Sequence, residues 1–330
     1  MPWKYLKVTA EEMKGLADAA LLAALAMGSV LGASALAQAS WPRRSPAAAI
    51  LLWQALGLAG GLAAVGTLVS LGLPGDHIGV AHSLLHPGAV FPRTTFRFPV
   101  AFGMVSVLPV MLLVVRLTCL AAGLALLASL CWVLIAASAA ALQARRRQRA
   151  LLALLAHGDP KVPGALVVDY PTAAAYCLPG LRSRIVVLSV GTLELLGRGE
   201  LAAVLAHERA HLRERHDLVL LPFTALRRAF PRSGMCAEAH RAVALLVEML
   251  ADDRALRGRP ARELVSALVR FGTAGTCPVP AGALAAGEGD MAARVARLLQ
   301  PVRPLPAAAS AGVCLAAGLL VAATLALLIV

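Results

Sequence analysis

Long runs of apolar residues alternate with polar stretches along the chain. A helix needs about 20 apolar residues to cross the hydrocarbon of a bilayer. Four stretches reach this length, and three of them are clearly bounded, at 16–39, 47–73 and 307–330. The pattern predicts an α-helical multi-pass membrane protein with about four spans.

The third apolar stretch is longer than one span requires, because residues 100–142 are apolar with only Arg116 interrupting them. At 1.5 Å per residue this stretch is about twice as long as the hydrocarbon is thick, so it spans either once or twice. Residues 115–118 include no Gly, Pro or Asn that would form a tight turn. We favour one span at about 117–142, preceded by an apolar segment around Pro109 that packs on the bundle or lies at the membrane interface.

Composition and charge divide the chain further. Of its 330 residues, 59% are hydrophobic, which is typical of a protein that keeps much of its surface in lipid. Most charged residues of both signs lie between Gln143 and Leu305, and arginine is the commonest of them. We therefore predict a membrane domain at 1–142 with three spans, a polar domain at 143–306, and a fourth span at 307–330.

The arginines beside the spans predict the orientation of the protein. Four arginines within 145–149 follow the third span, and Arg43 and Arg44 follow the first. Cytoplasmic loops are enriched in Lys and Arg, so the polar domain is expected in the cytoplasm and both termini outside. The loop at 74–99 is then also outside. Next to a span, the run at 145–149 is expected to contact anionic lipid rather than nucleic acid.

The polar domain opens with three short β-like runs, at 165–169, 172–177 and 184–190. Proline residues separate these runs, which predicts a small antiparallel sheet. A helical pattern then begins near Glu200, whose acidic side chain suits a helix N-terminus. A later apolar segment, 218–230, is short for a span and is predicted to form a helix packed on the domain or lying on the inner leaflet.

The predicted helix carries the sequence HERAH, which begins at His207 and ends at His211. Histidines four residues apart lie one turn apart on the same helix face, so both can direct a ring nitrogen at one metal ion. Glu208 lies beside them, where a general base is needed. The motif predicts a zinc site on His207 and His211, with Glu208 as the catalytic carboxylate.

A catalytic zinc usually takes three protein ligands, so a further ligand is expected downstream. The helical pattern at 242–256 carries Glu248 and Asp252, again one turn apart. We predict that Glu248 completes a site for one zinc ion per chain, and that Asp252 accepts a hydrogen bond from a ligand histidine. Spacing does not choose the residue that stabilises the oxyanion among three candidates, namely His216, His240 and Arg254.

Three stretches within 176–256 carry a resemblance to a known family: CLPGLRSRIVVLSVGTLELL, ELAAVLAHERAHLRERHD and VEMLADDRAL. They resemble the integral-membrane zinc metallopeptidases of the gluzincin HExxH group, most of all the BlaR/MecR-type antirepressor and signal-transducer peptidases, which are related to HtpX-type membrane proteases. The resemblance implies an α+β zincin-like domain inserted between spans three and four. It also implies zinc on His207, His211 and Glu248, with Glu208 catalytic and Asp252 supporting a ligand.

The motif and the resemblance together predict a membrane-anchored zinc endopeptidase that cuts a protein substrate in regulatory signalling. A cytoplasmic transcriptional repressor is the expected type of substrate. One alternative is an HtpX-like protease for membrane protein quality control, and another is a non-catalytic signalling scaffold. The scaffold is disfavoured because a domain without activity has no physical need for Glu208.

Overall fold

The computed structural model describes residues 10–73, 107–160, 162–180, 184–274, 288–300 and 303–329. The predicted loop at 74–99 lies outside the described residues. Packing divides the chain into two compact units. The first comprises the described parts of Met1–Gln38, Leu51–Trp132 and Ala311–Val330, and the second comprises those of Ala39–Ile50 and Val133–Ser310.

The described residues form ten α-helices and four β-strands. The helices are α1 (Ala10–Gln38), α2 (Pro46–Gly72), α3 (Val107–Leu155), α4 (Val190–Leu195), α5 (Arg198–Glu214), α6 (His216–Ala229), α7 (Gly234–Ala255), α8 (Ala261–Thr273), α9 (Glu288–Leu299) and α10 (Ala307–Ile329). The strands are β1 (Ala156–Gly158), β2 (Ala165–Val168), β3 (Ala175–Leu178) and β4 (Ile185–Ser189). A single 3₁₀ turn, Trp41–Arg44, lies between α1 and α2.

Four of these helices, α1, α2, α3 and α10, are long and apolar enough to cross a membrane. The chain therefore has the predicted number of candidate spans, and α3 is one continuous helix where the sequence allowed one span or two. It is longer than the predicted span of about 117–142. It includes Pro109 because a proline in the first helical turn gives up no hydrogen bond. The helix continues beyond residue 142 because the sequence contains no helix-breaking Gly or Pro between there and Gly158.

Within the first unit, α2 and α3 approach each other closely at two glycines. A Cβ at Gly72 would lie 2.6 Å from the Cβ of Leu120, and one at Gly123 would lie 2.9 Å from a methyl group of Val69. Small residues at such positions allow helices in lipid to pack backbone against backbone. A larger residue at either glycine would push the two helices apart.

The second unit contains a four-stranded sheet in the order β1-β2-β4-β3. Strands β1 and β2, and β3 and β4, pair antiparallel, whereas β2 and β4 pair parallel. The predicted antiparallel sheet is thus corrected to a mixed one. The chain reverses once after β2 and again after β3, so β4 runs in the same direction as β2. Because β4 also pairs with β2, the sheet contains one parallel pair.

The sheet packs on α5 through an apolar cluster. Val167 and Leu188 on the sheet, and Leu205 and Leu212 on the helix, are buried in this cluster. Each is removed almost completely from water, which contributes about 1.5–3 kcal/mol per side chain. The contact fixes one face of α5 against the sheet.

Helix α6 follows α5 directly through Arg215, which has a left-handed backbone (φ 54°). This residue ends α5 and turns the chain so that α6 packs on α7. Leu220 and Phe223 are buried in that packing. Of the two arrangements predicted for 218–230, the structure has the helix packed on the domain.

The turn between α1 and α2 is attached to α9 within the second unit. Arg297 on α9 donates to the backbone oxygen of Arg43 at 2.9 Å and forms a two-pronged pair with Asp253 on α7 at 2.7 and 2.9 Å. Arg44 donates to the backbone oxygen of Arg303 at 3.0 Å. Helix α9 therefore connects this turn to α7.

Candidate metal centre

Helix α5 places both motif histidines on its buried face. The helix starts where the N–H of Gly197 donates to Oε2 of Glu200 at 2.8 Å, which satisfies a free group at the helix end. His207 and His211 are only 6% and 5% exposed. Their Nε2 atoms lie 3.0 Å apart, as the one-turn spacing predicts.

Helix α7 packs on α5 and brings Glu248 to the two histidines. Oε2 of Glu248 lies 3.3 Å from Nε2 of His207, and Oε1 lies 3.5 Å from Nε2 of His211. The donor atoms of all three residues lie within 4.8 Å of one another. The three predicted ligands thus converge at one buried point, although 37 or more residues separate Glu248 from the motif.

This donor cluster fits a zinc ion. Zinc binds imidazole nitrogen and carboxylate oxygen at about 2.0–2.2 Å with tetrahedral angles, so neighbouring ligand atoms lie about 3.3 Å apart. The nearest separations here, 3.0, 3.3 and 3.5 Å, match that spacing. Two imidazoles and one carboxylate also leave a fourth position free, as catalytic zinc sites do.

Asp252 lies one turn beyond Glu248 on α7 and is 1% exposed. Its Oδ1 is 3.0 Å from Nδ1 of His207, the ring nitrogen that faces away from the cluster. A carboxylate at this nitrogen keeps the proton on Nδ1 and leaves Nε2 available to a metal. The structure thus places Asp252 where the sequence predicted it.

An arginine that the sequence pattern did not predict lies behind the carboxylates. Arg294 on α9 is 4% exposed. It donates to both carboxylate oxygens of Asp252 at 2.8 and 2.7 Å, and its Nη1 lies 2.8 Å from Oε2 of Glu248. One guanidinium thus holds both Glu248 and Asp252 in place, because its donors form a rigid fork.

These charges set the protonation states of the cluster. Burial lowers the pKa of His211 to about 3, so its imidazole is neutral and has a free lone pair. Burial would raise the pKa of Glu248, but His211, Arg294 and His207 together hold it below its usual value. Burial would likewise lower the pKa of His207, yet Asp252 and Glu248 raise it to about 10. Without a metal, a proton on His207 therefore supplies positive charge where a cation would lie.

Glu208, the predicted catalytic residue, lies next to the cluster but is not one of its donors. Burial raises the pKa of its carboxyl group, with His207 opposing the change and Glu248 adding to it. The thiol of Cys177 on β3 lies close to this carboxylate, and its pKa is raised by burial first and by Glu208 in addition. A carboxylate whose pKa is raised is closer to the range in which it both accepts and returns a proton near neutral pH.

The comparison with family models matches part of the chain, including this site. Residues 136–248 match the model of Peptidase family M48. The matched segment contains the motif helix and ends at Glu248. It supports a metallopeptidase of this family, and hence a hydrolase. No curated protein and no solved structure matches the chain. The finer BlaR/MecR-type or HtpX-type assignment stays a prediction.

Strand β3, the strand nearest the motif helix, lies at the edge of the sheet. The N–H of Ser189 donates to the oxygen of Ala174 at 2.9 Å, and Ala175 pairs with Leu188. Because backbone groups alternate between the two sides of an antiparallel strand, those of Ala175 and Cys177 point away from β4. In the described part of the chain no strand pairs with that side of β3.

The three candidates for the oxyanion donor lie elsewhere. His216 contacts His211 on the ring side opposite the cluster, at 3.1 Å between Nδ1 atoms. Arg254 pairs with Glu214. His240 lies 3.5 Å from Arg227. None of the three is among the donor atoms of the cluster, and the residue that stabilises the oxyanion stays unassigned.

Proposed function

We propose that the protein is a membrane-anchored zinc-dependent endopeptidase with an α+β zincin-like domain between spans three and four. The observation that carries the proposal is the buried convergence of His207, His211 and Glu248 beside Glu208, within the segment that matches Peptidase family M48. The four apolar helices support a multi-pass membrane protein. In this proposal one zinc ion per chain binds to the three donors.

The chemistry follows from the positions of these side chains. A zinc ion held there would lower the pKa of a water molecule and polarise a peptide carbonyl. Glu208 takes the proton from the attacking water and then returns it to the leaving amine. Asp252 and Arg294 hold the ligands in orientation throughout. In this mechanism Glu208 forms no covalent bond with the substrate.

The substrate is proposed to be an extended segment of a protein. The free backbone groups of Ala175 and Cys177 on β3 support this, since an extended peptide can add to an open strand edge by main-chain hydrogen bonds. The thiol of Cys177 also lies close to Glu208, so this edge is near the catalytic carboxylate. Extended backbone, rather than a particular side chain, is then the main requirement for binding.

Metal removal tests this function. The full chain, purified in detergent, is expected to cut an unfolded protein such as casein at internal peptide bonds. A zinc chelator should abolish the cleavage, because the three donors alone cannot activate water, and added Zn²⁺ should restore it. Cleavage that continues in the chelator, or that only a serine-directed inhibitor stops, would contradict the proposal.

A regulatory role is proposed for this peptidase, with a cytoplasmic transcriptional repressor as the type of substrate. The support is the attachment of the α1–α2 turn to α9. Arg297 on that helix binds the backbone of Arg43, and Arg294 three residues earlier holds Glu248 and Asp252. A shift of the turn would therefore move α9 and change the position of Arg294 beside the proposed ligands.

Substrate selectivity separates this role from quality control of the HtpX type. Membrane and cytoplasmic proteins would be compared between cells with the wild type and cells with the inactive Glu208→Gln variant. A regulatory protease is expected to leave one or a few proteins uncut in the variant. Accumulation of many unrelated membrane proteins would instead favour quality control. Identical protein levels in the two cell lines would favour the scaffold.

The peptidase domain is proposed to lie in the cytoplasm, with both termini outside. The arginines of 145–149 support this orientation. Arg145 pairs with Asp217 at 2.9 Å, while Arg146 and Arg147 are exposed and available to anionic lipid rather than nucleic acid. A reporter fused after Val330 tests the orientation, since it should behave as extracytoplasmic, and cytoplasmic activity would overturn it.

A further inference from the structure

The two proposed histidine ligands are supported in different ways on the sides that face away from the donor cluster. Nδ1 of His207 faces the carboxylate of Asp252. Nδ1 of His211 instead faces another imidazole, with 3.1 Å between it and Nδ1 of His216. The two rings are nearly perpendicular, at 89°, with their centres 4.8 Å apart. This geometry directs one ring nitrogen at the other and excludes stacking.

The turn after α5 accounts for the position of His216. Arg215 has a left-handed backbone, which costs a residue with a side chain about 1–2 kcal/mol. It is the only non-glycine residue with positive φ in the described part of the chain. The reversal places His216, the first residue of α6, against His211 on the preceding helix. His216 is 1% exposed, so water does not compete for its nitrogens.

The far nitrogen of His216 faces a carboxylate. Its Nε2 lies 3.5 Å from Oε2 of Glu214, and the other oxygen of Glu214 accepts from Nε of Arg254. At this distance the pair makes an electrostatic contact rather than a hydrogen bond, but the negative charge of the carboxylate favours a proton on Nε2 of His216. That assignment leaves Nδ1 of His216 as an acceptor. The contacts thus run in one direction, from His211 through His216 to Glu214.

A contact between two imidazole nitrogens needs one donor and one acceptor. If His216 accepts, His211 carries its proton on Nδ1, and the lone pair on Nε2 faces Glu248 and His207. If His216 donated instead, the proton of His211 would lie on Nε2 and would block that atom as a ligand. The orientation of the pair therefore decides whether His211 can bind a metal.

We propose that His216 is a positioning residue that fixes the tautomer and the ring orientation of His211, with Glu214 fixing the tautomer of His216 in turn. This inference rests on the proposed zinc site. It gives the second ligand the support that Asp252 gives the first, and it assigns a role to the strained turn at Arg215. His216 does not touch the substrate or the metal in this role.

Zinc affinity of the full-length protein tests the assignment. Metal would be removed from the detergent-purified chain, and binding of Zn²⁺ would be measured by competition with a chromophoric chelator. His216→Leu keeps an apolar group of similar size but removes the acceptor, and we expect 10- to 100-fold weaker binding. His216→Asn places an amide oxygen near the former Nδ1, and we expect it to stay within about threefold of the wild type. His240→Leu, on a half-buried histidine away from the cluster, should not change the affinity.

If His216 only filled space, the order of zinc affinities would be reversed, with His216→Leu binding zinc more tightly than His216→Asn, because Leu fits a buried site better than Asn. Two outcomes would overturn the assignment but leave the proposed zinc site intact, provided that the wild type binds zinc. One is unchanged zinc affinity in His216→Leu, and the other is an equal loss of zinc affinity in the Leu and Asn variants. A wild type without zinc affinity would overturn the proposed function as well. Glu214→Ala, at a partly exposed residue, removes the carboxylate and keeps both imidazoles. It should lower zinc affinity about three- to tenfold, and no loss would count against the assignment.

Discussion

Replacing Glu208 by Gln is expected to lower the rate of peptide cleavage by about 10²- to 10⁴-fold and to leave the bound zinc in place. Gln keeps the size and the hydrogen-bonding shape of Glu but does not accept a proton from water. General acid–base catalysis contributes about 10²- to 10⁴-fold to the rate, so kcat should fall by that factor. Zinc content should be unchanged because Glu208 is not one of the donors at the cluster. Cleavage of a fluorogenic peptide, measured beside zinc analysis, gives both values.

Glu194→Gln provides the matched control for this variant. Glu194 is exposed on α4, and the same change there should leave kcat within about twofold of the wild type. If Glu208→Gln kept wild-type activity, Glu208 would not be the general base. If it lost activity and zinc together, its role would be structural.

The second large effect is expected at Arg294. Replacing it by Leu leaves the carboxylates of Glu248 and Asp252 buried without their shared cation, and breaking such a buried ion pair costs about 3–5 kcal/mol. For a domain of this size that corresponds to a fall of roughly 6–20 °C in the unfolding midpoint. Thermal unfolding of the metal-free protein in detergent measures the change without a contribution from zinc.

Arg270→Leu is the control for the loss of an arginine at the surface. Arg270 pairs with Glu200 at 3.1 Å, but its side chain is 51% exposed, and exposed pairs contribute about 0–1 kcal/mol. Its midpoint should fall by no more than about 4 °C. The unfolding midpoint of Arg294→Lys should lie between those of Arg294→Leu and Arg270→Leu. An ammonium group keeps the charge, but it does not bind both carboxylates at once as the forked guanidinium does. A midpoint for Arg294→Leu equal to that of Arg270→Leu would contradict the role of Arg294.

The four candidate spans were predictable because length and apolarity alone define them. The continuity of α3 followed from the lack of any turn-forming residue near Arg116. The sheet was less predictable. Periodicity identified β2 and β4 closely, but the pairing of β2 beside β4 depends on tertiary packing, and β1 has only three residues and no alternating pattern of its own.

The residues of the proposed site were likewise predictable only in part. His207, His211, Glu248 and Asp252 were found because regular helical spacing places each pair on one face. No spacing pattern in the sequence singles out Arg294, since it lies on another helix 42 residues beyond Asp252 and is one of many arginines. The contact of His216 with His211 depends on the left-handed backbone of Arg215, which no spacing rule predicts for an arginine.

The same contacts explain how a stable site is built from charged residues. Buried carboxylates are costly unless they are paired and hydrogen-bonded. Glu248 and Asp252 share one guanidinium and two imidazoles, so each oxygen that faces the interior has a partner. Zinc would replace the proton on His207 and add a further positive charge between the ligands.

Zinc content of the purified full-length protein is the measurement that tests the account most directly. We expect about one zinc ion per wild-type chain and a large loss of zinc in Glu248→Gln, where a neutral amide replaces the anionic ligand. Glu238→Gln, at an exposed position of the same helix, should retain the metal. A wild type that holds no stoichiometric zinc after purification in its presence, or a Glu248→Gln variant that keeps it fully, would contradict the account.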